Sequence, residues 1–506
     1  MIKRNQAKRR RLDKNTKRSN RMQKKQRRLN MEGLEERRLL AVLTDLPTAP
    51  APELTEYTTN RNVGAVQSFT FNESESFVDS GANDVINDAD LVPIGTGFGQ
   101  QDTVDIFGTL PIDSSSSPVR ADLDTFGMTL RGGDILDISV LGAANQFIIR
   151  DISGQTVYGS TVNAFSQPPR QSIGNATGTY VVPRDGNYYL TVAPDVVGPL
   201  NNYTIGLRAY RPVTEELDVG DAQIIYLDFD GDVIDGNLVG STGFVRIPGL
   251  VESLPLLGIE EGNINAANNI MEKVISGTIR IFEDLVQTGE NGDYTESSVP
   301  GDYAVRILNS RDHGGQISLN DPRMTRLMIG GSGADIGNDG VYGYAYLDSG
   351  NFELQGYGFF ALDAFGDDAQ AAAISPNSSQ VDFIGDFLAA VVAHEAAHTL
   401  GMVHTNGDNA TGTLSDEGGS ANSTAYGQGL GPDGIYGTSD DVAPVFADDF
   451  YSAQEAEYLG KYEITNALAH VLSSGTQGGG NVSGRVFFDE NMNGSGIGDG
   501  GLAGVT

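Results

Sequence analysis

Between residues 60 and 212 apolar and polar positions alternate in short runs broken by Gly, Asp or Asn, as in Phe126-Gly127-Met128-Thr129-Leu130 and Ile135-Leu136-Asp137-Ile138-Ser139-Val140. A period of two turns one side of a strand to a core and the other to solvent, and many short strands of this kind predict a two-sheet antiparallel sandwich. The pattern then changes. Ile224-Ile225-Tyr226-Leu227-Asp228-Phe229 reads as a buried strand, and the stretch 263–285 places Ile264, Ala267, Ile270, Met271, Val274, Ile275, Ile281, Phe282 and Leu285 on one stripe of a helix. Strands are expected at 303–308, 326–329, 342–347 and 357–362, with 342–347 the candidate edge strand.

A second helix is expected over 379–400. Ser379 and Asp382 have the spacing of a capping pair, and Phe383, Ile384, Phe387, Leu388, Val391 and Val392 supply the buried face. Beyond 404 the chain turns glycine-rich and acidic, which predicts a looped region closed by a helix over 451–470. The expected fold is therefore multidomain: a β-sandwich (60–212), then an α+β domain (221–470) with a twisted mixed sheet and a long helix carrying the chemistry.

That chemistry is concentrated in His394-Glu395-Ala396-Ala397-His398-Thr399-Leu400-Gly401-Met402-Val403-His404, which holds three of the five histidines of the chain. Histidines four apart on a helix share one face, close enough to hold a single metal ion. Glu395 then lies beside the ion, where a carboxylate can take a proton from water. A catalytic zinc needs a third protein ligand and one open position. His404 supplies that ligand if the chain turns, and Gly401 permits the turn because glycine enters the left-handed region without a Cβ clash.

These residues resemble the metzincin zinc peptidases, matrixin-like in spacing, whose pattern is His-Glu-x-x-His-x-x-Gly-x-x-His. The resemblance spans roughly 221–470 and implies zinc held by His394, His398 and His404, with Glu395 as general base. It also implies a methionine on a turn beneath the metal. The one methionine after His404 is Met492, so that turn is expected to be absent or substituted, with Ala443-Pro444-Val445-Phe446 as the candidate floor. A thermolysin-like arrangement would instead draw its third ligand from Glu455 or Glu457.

Charge narrows the partners. Sixteen of the 33 Lys and Arg fall in residues 1–38, so the rest holds 17 basic and 63 acidic residues, a formal charge of −46. Such a body repels nucleic acid and anionic membranes. The leader (1–45) reads as basic and disordered, and its Lys8-Arg9-Arg10-Arg11 and Lys24-Lys25-Gln26-Arg27-Arg28 clusters have no aromatic residues among them to stack bases. Leu34-Glu35-Glu36-Arg37-Arg38-Leu39-Leu40-Ala41 resembles an element near the start of large exported bacterial proteins. A secreted or cell-surface location is expected, without an ordinary secretory signal. No apolar run reaches 18 residues, so no helical membrane span is expected. With no cysteine, disulfides and a cysteine latency switch are excluded.

Two further resemblances frame the catalytic region. From about residue 86, Asp122-Leu123-Asp124-Thr125-Phe126, Gly133-Asp134-Ile135-Leu136 and Asp185-Gly186-Asn187-Tyr188-Tyr189-Leu190-Thr191-Val192 resemble the bacterial pre-peptidase C-terminal (PPC) domain, a β-sandwich that accompanies secreted peptidases. Its surface is expected to meet calcium or an extracellular matrix or cell-surface polymer. Residues 481–506 resemble the opening of a calcium-binding B-type adhesin repeat, with Asp489, Asn491 and Asn493 at alternate positions before Gly494. A full repeat is longer, so the chain reads as part of a larger protein.

Asp433, Asp440 and Asp441 cluster on a Gly-rich turn, where calcium binding and a solvated hairpin are the two readings. His313 reads as a loop residue with a second structural zinc as the alternative, and His470 as an ordinary surface or core histidine. The leading functional reading is a secreted zinc endopeptidase acting on a protein or peptide substrate. The competing one is a surface adhesion or scaffold protein with a structural or vestigial zinc site.

Overall fold

In the computed structural model the alternating segments pair into two five-stranded sheets, and the description covers residues 69–73, 83–110, 112–113, 120–161, 174–194, 202–217, 221–239, 241–288, 305–337, 340–418, 421–452 and 458–473. The first sheet runs Phe69–Asn72, Thr103–Thr109, Asn202–Tyr210, Ile135–Gly142, Ala176–Val181. The second runs Asp90–Leu91, Asp124–Leu130, Gly186–Pro194, Ala144–Arg150, Thr156–Ser160. The short outer strands at 69–72 and 90–91 pair in parallel and the other pairings are antiparallel. Val104, Ile106, Ile138, Val140, Ile205 and Leu207 from one sheet are buried, as are Phe126, Met128, Phe147, Ile149, Leu190 and Val192 from the other. Each such side chain contributes about 1.5–3 kcal/mol on burial.

A third sheet runs Val305–Asn309, Gln223–Asp228, Met324–Ile329, Gly356–Phe360, Gly343–Ala345. Its first four strands are parallel and the last, an edge strand, is antiparallel. The two long helices are Ile264–Thr288 and Gln380–His398, and they pack on each other. A Cβ at Gly277 would stand 2.6 Å from that of Ala389, so the close approach of the two backbones requires glycine there. The fold is thus β-rich and mixed, built from several sheets with few helices.

Two features differ from the sequence reading. The stretch 451–470 is not one helix: Asp449–Phe450 pairs with Lys461–Tyr462, and the helix begins only at Ile464 and ends at Val471. Gly460, at φ +108°, takes the chain through a conformation no helix contains, and Tyr451, Tyr458 and Tyr462 are buried as a ring cluster instead of lining a helical stripe. A helix at Leu362–Ala371, following directly on the strand Gly356–Phe360, has no counterpart in the reading.

The sandwich and the α+β region share one apolar core. Tyr210 meets Phe352 edge to face with ring centroids 5.8 Å apart, a Cβ at Gly350 would lie 2.7 Å from Ile135, and Thr214 donates to the Val471 carbonyl at 3.0 Å. His470 is buried in this seam, its Nε2 3.1 Å from the Pro183 carbonyl. The leader at 1–45, the adhesin-like segment 481–506 with Asp489, Asn491 and Asn493, and Glu455 and Glu457 lie outside the described residues.

Candidate metal centre

The helix Gln380–His398 starts at a full capping box. Ser379 Oγ accepts from Asp382 N at 3.1 Å while Asp382 Oδ2 accepts from Ser379 N at 3.1 Å, worth about 1 kcal/mol of helix stability. It ends in a Schellman pattern: Gly401 N donates to His398 O at 3.0 Å and Met402 N to Ala397 O at 2.9 Å, with Gly401 at φ +96°. A Cβ at Gly401 would stand 2.4 Å from Gly350 N, so glycine is required there both for its dihedral and for space. The turn returns the chain so that His404 faces the helix.

There the Nε2 atoms of His394, His398 and His404 converge. They are 3.0 Å apart for His394 with His404, 3.0 Å for His398 with His394 and 3.1 Å for His398 with His404. His398 Nδ1 is 2.7 Å from the Met402 carbonyl and His394 Nδ1 bonds the Leu414 carbonyl. A carbonyl can only accept, so both Nδ1 atoms carry the proton and both Nε2 atoms turn bare lone pairs inward. Lone pairs pointed at a common centre fit a cation bound by imidazole. Burial and the neighbouring imidazoles depress His394 to about 3 and push His398 in the same direction, which keeps both neutral, as ligands must be. His398 is buried, whereas His394 and His404 are only partly buried.

Glu395 is buried beside the triad, and burial raises its carboxyl to about 8, with the nearby His404 acting in the opposite direction. Its neighbour is the edge strand Gly343–Ala345. A Cβ at Gly343 would come within 3.1 Å of Glu395 Oε1 and 2.8 Å of the Phe359 carbonyl. Tyr344 on the same strand donates its hydroxyl to the Leu238 carbonyl at 3.0 Å, tying the edge to the hairpin Gly231–Asp235 and Phe244–Pro248.

Sequence reasoning misses Leu414. This buried residue is second in a tight turn in which Asp416 N donates to Thr413 O at 3.2 Å and Thr413 N to Asp416 Oδ2 at 3.2 Å. The run 443–446 supports this turn from behind: Val445 O accepts from Leu414 N at 2.9 Å, and Phe446 packs on Phe282. Thr405, next to the third histidine, donates to Asp416 Oδ1 at 3.0 Å and lies 2.9 Å from Ser415 Oγ. A Thr-x-x-Asp turn holding one apolar residue, ten positions after His404, was the available signal.

The other candidates lie apart from the triad. Asp433, Asp440 and Asp441 share one loop in which each carboxylate accepts from the chain: Ile435 N to Asp433 at 2.7 Å, Asp433 N to Asp440 at 3.1 Å, Gly437 N to Asp441 at 2.6 Å. His313 Nδ1 is 3.2 Å from Asn309 N, within a short helical turn. Among the described residues the triad is the one group of three His, Cys, Asp or Glu side chains whose donor atoms lie within metal-binding distance of one another.

No protein family matches this chain, and no curated protein does. Solved structures similar to a part of it are periplasmic inhibitors of g-type lysozyme, PliG. The Salmonella Typhimurium protein is 16% identical over 24% of this chain and 99% of its own, with a TM-score of 0.17. The Aeromonas hydrophila protein is 14% identical over the same shares, with a TM-score of 0.16.

Proposed function

We propose that the chain is a zinc-dependent endopeptidase acting outside the cell on extended protein or peptide substrates. The observation that carries this reading is the convergence of three Nε2 atoms within 3.0–3.1 Å beside a buried carboxylate. Three converging imidazole nitrogens, two of them held neutral by burial, suit zinc with one position left open, and zinc there would supply Lewis-acid and water-activating chemistry. Glu395 can take a proton from water at the triad and return it to the departing amine, provided a cation held there offsets the burial that otherwise keeps its carboxyl protonated. Gly343–Ala345 is the edge of its sheet and runs beside Glu395, so an extended peptide can add to it as a further strand. The metzincin resemblance calls for a methionine turn beneath the metal, and for that floor the run 443–446 remains the candidate, joined to the triad through Val445 O, which accepts from Leu414 N at 2.9 Å.

The scaffold reading leaves Glu395 without a purpose. A structural zinc site gains nothing from an acid buried beside its ligands, and burying that acid costs stability. Calcium at Asp433, Asp440 and Asp441 is a further proposal, tested by comparing melting temperatures in calcium and in EGTA. The function is tested on the full chain by metal analysis together with digestion of casein or gelatin. A chain that carries no zinc, or a Glu395→Gln variant that digests as fast as the parent, defeats the reading.

A further inference from the structure

The second sheet of the sandwich does not end at its last strand. Thr156–Ser160 is bridged to Tyr458, and Leu459 N donates to Gly159 O at 3.0 Å. The same segment turns its other edge to the next: Gly460 O accepts from Tyr451 N at 3.1 Å, and Lys461–Tyr462 pairs with Asp449–Phe450. That segment in turn holds the chain at the third histidine. Ser452 N donates to His404 O at 3.0 Å, and Asn406 N donates to Phe450 O at 3.0 Å. On its far side Thr405 N donates to Ser415 O at 2.8 Å and Glu417 N to Thr405 O at 2.9 Å, which reaches the turn whose Leu414 carbonyl holds His394.

A ladder of backbone hydrogen bonds thus leads from the sandwich to two of the three histidines. Buried rings follow the same line. Tyr158 of the sandwich lies 5.5 Å from Tyr451 and 5.5 Å from Tyr458, and Tyr451 stacks on Tyr462 at 4.5 Å. At Gly460 a Cβ would stand 2.8 Å from Val157 C and 2.9 Å from Tyr158 N, so glycine alone lets this segment lie against the sandwich backbone. His398 is outside the ladder, because its Nδ1 partner belongs to its own helix end.

We infer that the β-sandwich is a working part of the metal centre, and that Tyr458 and Gly460 are positioning residues which set metal affinity through His404 and the Leu414 turn. This rests on the triad binding a metal. A backbone strut explains why the sandwich shares a core with the α+β region: a ligand on a loop is held to the sub-ångström tolerance of a coordination site only by a rigid support.

The test uses cobalt(II) as the probe of the full chain, with affinity taken from chelator competition, coordination geometry from the visible absorption band, and folding from circular dichroism and thermal melting. Gly460→Ala and Tyr458→Ala are expected to lose tenfold or more in cobalt affinity and to shift the band while remaining folded. Tyr458→Phe, which keeps the ring stack, should restore both. Gly434→Ala is the control: it forces a Cβ onto a left-handed residue, φ +67°, in open space away from the ladder, and should leave affinity and band unchanged. Parent-like affinity and band in Tyr458→Ala, or equal affinity losses in Gly460→Ala and Gly434→Ala, overturn the inference. A parent chain that takes up no cobalt overturns the metal reading itself, and this inference with it.

Discussion

A Cβ built on Gly343 would lie 3.1 Å from the Oε1 atom of Glu395, so the edge strand and the buried acid constrain each other directly. Gly343→Ala must displace either the strand from Phe359 or the carboxylate from its place. Because misplacing a reacting group by about 1 Å costs about 10²-fold in rate, peptide hydrolysis should fall by about 10- to 100-fold. Zinc content should be unchanged, since no ligand moves. Rate and metal analysis on one preparation check this, and loss of zinc together with rate would place Gly343 in the support of the triad instead.

Glu395→Gln keeps the shape of the side chain and removes its basicity. Hydrolysis should drop by about 10²–10⁴-fold with zinc still bound, the range expected when a general base is lost. Digestion of casein alongside metal analysis gives the result. Activity within a few-fold of the parent would leave the acid with a structural role.

The third ligand separates two kinds of zinc site. His404→Ala should weaken zinc by more than the about 10- to 100-fold that follows loss of an outer partner, because a coordinating nitrogen is removed. Glu455→Ala and Glu457→Ala should bind zinc as the parent does. Zinc titration of the three variants decides, and the reverse order would mean a thermolysin-like ligand set.

The triad is legible in the sequence because its geometry is local. His394 and His398 are one helical turn apart, and Gly401 announces the reversal that brings back His404. The alternating strands of the sandwich and the buried stripe from Ala267 to Phe282 are legible for the same reason, since a period of two or of 3.6 needs no knowledge of partners, although Ile264 at the start of that helix is exposed. Leu414 is not legible, because what it offers His394 is a backbone carbonyl, identical in every residue. Tyr451, Tyr458 and Tyr462 mislead because apolar spacing alone does not say whether rings line a helix or stack across a two-stranded ribbon against Tyr158. The shared core of sandwich and α+β region is equally silent, as it depends on contacts between Tyr210 and Phe352 far apart in the chain.

Removing the metal should cost stability as well as activity. The inward lone pairs of His394 and His398, with His404 Nε2 at 3.0–3.1 Å from both, gain from a cation between them, and any ion that binds only the folded chain adds RT ln(1 + [L]/Kd) to its stability. Treatment with a chelator should lower the melting temperature, and excess zinc should restore it. At a hundredfold excess over Kd the gain is about 2.7 kcal/mol. A melting temperature indifferent to both treatments would count against metal at the triad.

His470 gives a pH dependence that does not involve the triad. Burial holds this imidazole at about 4 against an ordinary 6.5, with the Arg211 guanidinium pushing it the same way and the Pro183 carbonyl and Asp185 opposing. The sign follows from where the proton goes. Above pH 6.5 His470 is neutral in both the folded and the unfolded chain, and its contribution to stability is complete. As pH falls below 6.5 the unfolded chain takes up a proton that the folded chain refuses until about pH 4, so stability is lost across that window and is about 2 kcal/mol lower by pH 5 from this residue alone. His470→Gln keeps a side-chain N–H for the Pro183 carbonyl and removes the titration. Denaturant unfolding of parent and variant between pH 7.5 and 4.5 isolates the effect, because every other titrating group cancels in the difference. The variant should gain on the parent steadily as pH falls below 6.5, and a difference that stays flat over that range would mean that the seam between sandwich and α+β region admits a charged imidazole.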